Sequence, residues 1–536
     1  MTTTKKTRKT TKKPRPARKA GRSDAAHVGK KGVRKGVTAK AAAEKVGPPV
    51  APPTDSVGAA SAAATGVVLT WEDDPMSNPA RQPIQVPVPS LPTGNLGITI
   101  AEPAPPAEVH PLGTSRFRYW VAVEALARGM EFWSRLLPAG TRWATPTQTL
   151  VAHLDFGVDL NAYYRRGASR LEFYHSTVAG RTVYSGESPN ILCHELGHAV
   201  LDSVRPQLFN AANIESSAFH ESFGDISAIL SALQLDTVAQ AVLTETGGRL
   251  FRSTFLSRLA EELGWAIRQI NSQAVDPDCL RNAVNSFFYR DPTTLPPSAP
   301  ASALSSAPHS FSRVFTSAFY DTLAGMIRVD NPSPTVKSLQ KVTRDAGRLL
   351  IDAVGSAPVV PNYFSQVAAQ MIAADDSRFG RKYRDVIKGA FVRHGILSLD
   401  AAAGIVGRSM PVSLVAGVAG GGVGGDGARA LPQVAVPTTS LGLNAQAILC
   451  EAPGEVGGYT VAAAAALDAG SLAPPSYIDA VRFFLEDLFR LGRVDIGEHG
   501  DAETQISQPT VRKTHTLRPT ADGPVLERET FDCGFD

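Results

Sequence analysis

Two histidines four residues apart, with a glutamate beside the first, constrain this chain more than any other feature: His194-Glu195-Leu196-Gly197-His198. On a helix, positions i and i+4 share one face a turn apart. Both imidazoles can then reach a single ion, and the adjacent carboxylate can take a proton from water. The flanks predict such a helix. Pro189 opens it, ILCHELGHAVLDSV continues it, and Arg205-Pro206 closes it. By chance alone the motif arises at roughly the per-cent level in a chain of this size. A helix with two incidental histidines is therefore the competing reading until further ligands are found.

A catalytic zinc site needs a third protein ligand and an open fourth position. The next predicted helix, about residues 216–233, carries both Glu221 and Asp225, again spaced i, i+4. Glu221 is placed to ligate, and Asp225 to accept the free N–H of a ligand histidine. Phe219, Phe223, Ile226, Ile229 and Leu230 around them predict a buried helix, not a solvated acidic face. His220 is the alternative third ligand, although it projects about 100° away from Glu221. One zinc per chain is expected. The longer metzincin pattern would need Gly and His where Leu201 and Val204 stand, and H-x-x-E-H is absent. Cys193, next to the motif, reads as a small buried hydrophobe.

Taken together, these residues resemble the thermolysin-like gluzincins, zinc metallopeptidases with two histidine ligands and one glutamate. His194 to Val200 followed by Asp202 is similar to that family's zinc helix, and Ile214-Glu215-Ser216 through Asp225 to its second. Asn161-Ala162-Tyr163-Tyr164, beginning 33 residues before His194, resembles its edge strand. There Asn161 and Ala162 would hold substrate backbone by strand addition. Leu280-Arg281-Asn282 with Asp291-Pro292 resembles its arginine segment, so Arg281 would bind a substrate carbonyl. His309, in His309-Ser310-Phe311-Ser312, resembles its second catalytic histidine, which stabilises the oxyanion. The bland readings are a surface charge for Arg281 and a loop histidine for His309. The resemblance covers roughly residues 110–400. The family's tyrosine between the zinc helices has no counterpart in 208–214, and no acid precedes His309 in 302–308. Acidic calcium ligands are also missing, so calcium is not expected.

The order of segments predicts an α+β fold with two lobes, strand-rich between about 148 and 186 and helical from 189 to 397. Residues 1–46 hold 16 Lys or Arg against only Asp24 and Glu44, a local charge of +14. The total being +4, the rest of the chain carries −10. Such a tail cannot bury enough apolar surface to order itself, and reads as disordered. Residues 47–110 read as a Pro/Ala-rich linker, 111–400 as the metallopeptidase domain and 401–440 as a Gly/Ala-rich connector. Residues 441–536 form a small C-terminal region, marked by an amphipathic helix over 476–494 that would fold over the cleft as a regulator. Cys193, Cys279, Cys450 and Cys533 are far apart and form neither a CxxC pair nor a disulfide framework. No signal peptide and no span of about 20 apolar residues is visible. A cytoplasmic protein, or one exported by a non-Sec route, is the expectation.

The function expected is hydrolysis of a protein or peptide substrate, with Glu195 as general base and His309 as oxyanion stabiliser. Two rivals stand beside it. One is a catalytically idle, zinc-bearing binding or structural module. The other is a nucleic-acid or polyanion binder acting through residues 1–46, whose basic runs would neutralise phosphates without reading sequence.

Overall fold

Strands dominate up to residue 184, helices from 189 to 404, and strands again from 433 to 532, giving a mixed α+β architecture. The computed structural model describes residues 66–77, 82–404, 430–439, 441, 443–454, 476–500, 512–532 and 534. All of them belong to one compact unit. The basic tail 1–46 lies outside the described residues.

Period-two alternation builds the main sheet. Leu150 and Ala152 in Thr149–His153 face the core while their neighbours stay partly exposed, and Ala162–Arg165 is almost wholly buried. Five strands pair in the order Phe531–Asp532, Ala162–Arg165, Arg170–Phe173, Thr149–His153, Gly97–Ile100. The last two are parallel, as are Thr149–His153 and Arg170–Phe173; the other neighbours are antiparallel. The helix Ser115–Ser134 connects the parallel pair Gly97–Ile100 and Thr149–His153. Thr114 caps it by accepting from Phe117 N at 3.2 Å. This crossover is what a parallel pairing requires.

Two segments differ from the composition-based reading. The Pro/Ala-rich stretch before residue 110 contains a paired hairpin, Val67–Thr70 with Ile84–Pro87, and the sheet strand Gly97–Ile100. Its prolines sit mainly outside the strands, where no ladder hydrogen bond is lost, so proline content concealed the alternation. The expected connector 401–440 contributes a strand, Gln433–Pro437. That strand begins a second five-stranded sheet, which continues through Ala447–Glu451, Val525–Arg528, His515–Arg518 and Val494–Asp495. The amphipathic helix of the C-terminal region is present as Tyr477–Arg490, burying Val481, Phe484, Leu485 and Leu488. Ser476 caps its N-terminus.

The helical lobe is centred on Ile214–Ala232, which is buried at every position. Around it pack Pro189–Val204 and Pro308–Asp330, with Val336–Ser356 and Tyr363–Phe379 behind. Trp133 ties the sheet side to this core: its indole N–H donates to Ser227 Oγ at 2.8 Å, and its ring stacks on Phe223 at 4.9 Å. No single helix among the described residues is long and apolar enough to cross a membrane.

Acid groups hold the N-terminal segment in place. Asp74 accepts from Ser188 Oγ at 2.7 Å and from the Glu262 amide at 2.9 Å, and Asn190 bridges Asp73 and the Ala260 amide. Burial, reinforced by Asp74 and Asp73, pushes Glu261 up to about 9. Burial also raises Asp74 and Glu262, although Arg181 opposes both. Elsewhere, burial lifts Glu215 to about 8 despite its bonds from Tyr289 Oη and the Phe364 amide.

A raised carboxyl keeps its proton in the folded state after the unfolded chain has lost it. Its stabilising contribution is complete below the unfolded value and disappears as pH rises towards the folded one. The thermal unfolding midpoint should therefore fall between pH 7 and pH 9. The paired changes Glu261→Gln and Glu262→Gln should flatten that slope, and calorimetry across the range checks both.

Candidate metal centre

The site depends on how closely two helices approach. Pro189–Val204 begins with Ser188 as N-cap and Pro189 in the first turn, and ends where Arg205 leaves helical geometry. Where it crosses Ile214–Ala232, Gly197 faces Gly224. A Cβ on Gly197 would come within 2.8 Å of Ser227 Cβ and 2.9 Å of Gly224 Cα. A Cβ on Gly224 would stand 2.6 to 2.8 Å from three atoms of the His194 ring. Both positions need hydrogen as the side chain, and that brings the His194 imidazole directly onto the second helix.

The ligand atoms then converge. His194 Nε2 is 3.4 Å from Glu221 Oε2, and His198 Nε2 is 3.7 Å from Glu221 Oε1. Ligands about 2.0–2.2 Å from one tetrahedral ion stand roughly 3.3–3.6 Å apart. His194 Nε2 and both nitrogens of His198 have no hydrogen-bond partner among the described residues, though both rings are buried. Buried polar atoms left in this state are a cost that a bound cation removes. The metal-binding atoms of His194, Glu195 and His198 also fall within 4.8 Å of one another, so either carboxylate is near enough to ligate. Glu221 is the better-placed third donor because its two oxygens face the two imidazoles separately, with Glu195 beside them on the first helix. His220, the alternative, packs its ring on Phe531 at 4.1 Å, and its ring centroid is 5.7 Å from that of His198. The donor set, two imidazoles and a carboxylate, fits zinc.

Asp225 stands behind His194, accepting from Nδ1 at 3.0 Å. Arg281 is also at the site, and its guanidinium grips Asp225 at 2.9 and 3.2 Å. The short ladder Arg281–Asn282 with Arg258–Leu259 positions it. Burial opposes the charged form of Asp225, but Arg281 and His194 prevail and hold its carboxyl below the ordinary range. Burial acts to lower His194 too, yet Asp225 and Glu221 raise it to about 9. His198 has no such partner behind it, and burial takes it down to about 3, the neutral form a metal requires. Glu221 is held well below its usual range, because His309 and His198 outweigh its burial. A metal entering this site must take the place of the proton on the His194 nitrogen that faces Glu221, while the Nδ1–H stays bonded to Asp225.

His309 lies in the first turn of Pro308–Asp330, with Nε2 3.1 Å from Glu221 Oε2. Asn161 and Ala162 begin the strand next to the metal helix, where Asn161 Oδ1 accepts from the Ala162 amide at 2.9 Å. Asp202, one turn beyond His198, locks that strand to the helix. Tyr164 Oη and Arg166 Nε both donate to its Oδ2, at 2.7 and 2.8 Å. Beside His194 is a crevice lined by Ile191, Ala228, Leu259, Ala260 and Leu280 along with Asp225 and Arg281. These distances link His194, Glu195, His198, Glu221, Asp225, Arg281 and His309 in one cluster, and Asn161 and Ala162 stand at the start of the strand packed on the helix Pro189–Val204.

Sequence reasoning missed Phe531 and Asp532, which pair with Tyr164 and Tyr163 as a further strand. Phe531 stacks on His198 at 4.9 Å. A two-residue strand more than 330 positions beyond the metal motif carries no local signal.

No protein-family model matches this chain, and no curated protein sequence is similar to it.

Asp225→Asn removes the charge that orients His194 and should weaken metal binding about 10–100-fold. Gly224→Ala should weaken it at least as much, by driving the imidazole aside. Competition against a coloured chelator measures both, with circular dichroism confirming the fold.

Proposed function

We propose that this protein is a zinc-dependent endopeptidase of the thermolysin-like kind, built on that family's two-lobed fold. The observation that carries the reading is the spacing of Glu221 from His194 and His198, 3.4 and 3.7 Å, with Glu195 adjacent on the same helix. It is supported by the strand Ala162–Arg165 lying alongside, whose outer edge holds an extended segment, Phe531–Asp532, in antiparallel register.

When bound, zinc would supply Lewis acidity and lower the pKa of a water at the site. The protein's own groups do the rest. His194, His198 and Glu221 would hold the ion, and Asp225 fixes the His194 ring with Arg281 behind it. Asn161 and Ala162 position the substrate backbone by strand addition. Glu195 takes the proton of the attacking water and passes it to the leaving amine as the C–N bond breaks. His309 Nε2–H donates to the carbonyl oxygen as negative charge develops there. Arg281 stands near enough to the same centre to steady a neighbouring carbonyl.

The idle-module reading has one observation in its favour: a strand of the chain itself already lies on Ala162–Arg165. Polyanion binding rests on the +14 charge of residues 1–46 alone. It would appear as salt-dependent nucleic-acid retention that vanishes when those residues are deleted.

Glu195→Gln should retain one metal per chain and lose peptide hydrolysis by about 100-fold or more. Chelator treatment of the parent should abolish hydrolysis, and added zinc should restore it. A glutamine variant as active as the parent refutes the mechanism.

A further inference from the structure

The strand Phe531–Asp532 meets the groove just where a substrate would. It pairs antiparallel with the edge strand, Phe531 opposite Tyr164 and Asp532 opposite Tyr163. Thr530 Oγ1 extends the attachment by donating to the Tyr164 carbonyl at 3.0 Å. His309 Nε2 stands 2.5 Å from the main-chain carbonyl oxygen of Asp532 and donates to it. That is the bond His309 would make to a scissile carbonyl. The Phe531 ring lies flat against His198 and His220, at 4.9 and 4.1 Å, which covers the metal-ligand side of the groove. Two residues on, Gly534 passes so close to the edge strand that a Cβ would fall 2.3 Å from Leu160 O and 2.6 Å from Asn161 Oδ1.

We infer that the segment around Phe531–Asp532 of this chain occupies the substrate groove as an internal pseudo-substrate, so that the chain is latent until the segment is released. The inference rests on the peptidase reading. It adds a regulatory element, and it explains what the C-terminal region is for. The small sheet of that region is anchored at the connection between the two metal helices and at the first turn of the second: the Ala212 amide donates to Glu451 O at 2.8 Å, Arg528 Nε to Phe209 O at 2.9 Å, and Arg528 Nη2 to Ser217 Oγ at 2.6 Å. Arg512 adds an ion pair to Asp159 at 2.6 Å, on the loop leading into the edge strand. The segment is thereby presented to the groove by a folded mount. A tethered competitor acts at an effective concentration of order millimolar, which excludes a dilute external peptide without needing tight intrinsic affinity. A strand serving only to finish a sheet has no need to bring its carbonyl to His309 or to stack an aromatic ring on a metal ligand.

The test compares the full-length parent with Gly534→Leu, whose side chain has no room against Leu160 and Asn161. Phe531→Ala is a second, milder variant in case the first perturbs folding. Each is assayed for zinc content, for cleavage of a quenched peptide library, and for capture of a fluorescent synthetic peptide of residues 525–536. The parent should cleave slowly and ignore the synthetic peptide. The variants should cleave at least ten-fold faster, bind the synthetic peptide, and be inhibited by it. Equal cleavage rates and equal peptide capture in parent and variants would overturn the inference. Peptide capture by the variants alone, with zinc bound but no cleavage by any form, would leave groove occupancy standing and remove the peptidase reading instead.

Discussion

Two glycines facing each other across a helix crossing set the geometry on which the site depends. Gly197 and Gly224 let Pro189–Val204 and Ile214–Ala232 touch nearly backbone to backbone, and the His194 ring fills the space a Gly224 side chain would take. Any wider crossing would carry Glu221 away from the two imidazoles. The surrounding apolar core holds the crossing closed. Trp133 braces it through Phe223 and Ser227, and the Glu221 helix has no solvent-facing position from which it could relax. Close-packed interiors transmit such constraints because they leave little room for adjustment.

That constraint also explains the electrostatics. Two histidines and three carboxylates (Glu195, Glu221 and Asp225) share one dry region, and their surroundings push their proton affinities apart. Asp225 and Glu221 bring His194 up to about 9, while burial brings His198 down to about 3. Arg281 secures the Asp225 charge, so one side of the site is fixed in the form that orients a ligand.

The convergence of His194, His198, Glu221 and Asp225 was legible in the sequence because helical spacing alone puts His194 with His198 and Glu221 with Asp225 on common faces. The helix ends were legible from Pro189 and Arg205-Pro206, and the amphipathic helix near the C-terminus from its apolar spacing. The strands before residue 110 were hidden by proline content, although Ile98 and Ile100 alternate as a strand should. The role of Arg281 as partner to Asp225 required the two chain segments, 56 residues apart, to be seen together. Least legible was the pairing of Phe531–Asp532 with Ala162–Arg165. A short strand gains its meaning from the edge it meets, and that edge lies far away in sequence.

The central claim is a zinc ion held by two imidazoles and a carboxylate, and X-ray absorption at the zinc edge on the purified full-length chain tests it most directly. The account predicts one zinc per chain with a first shell of nitrogen and oxygen only at about 2.0–2.2 Å, including the outer-shell scattering of two imidazoles. A preparation that takes up no zinc, or a first shell containing sulfur at about 2.3 Å, would contradict it.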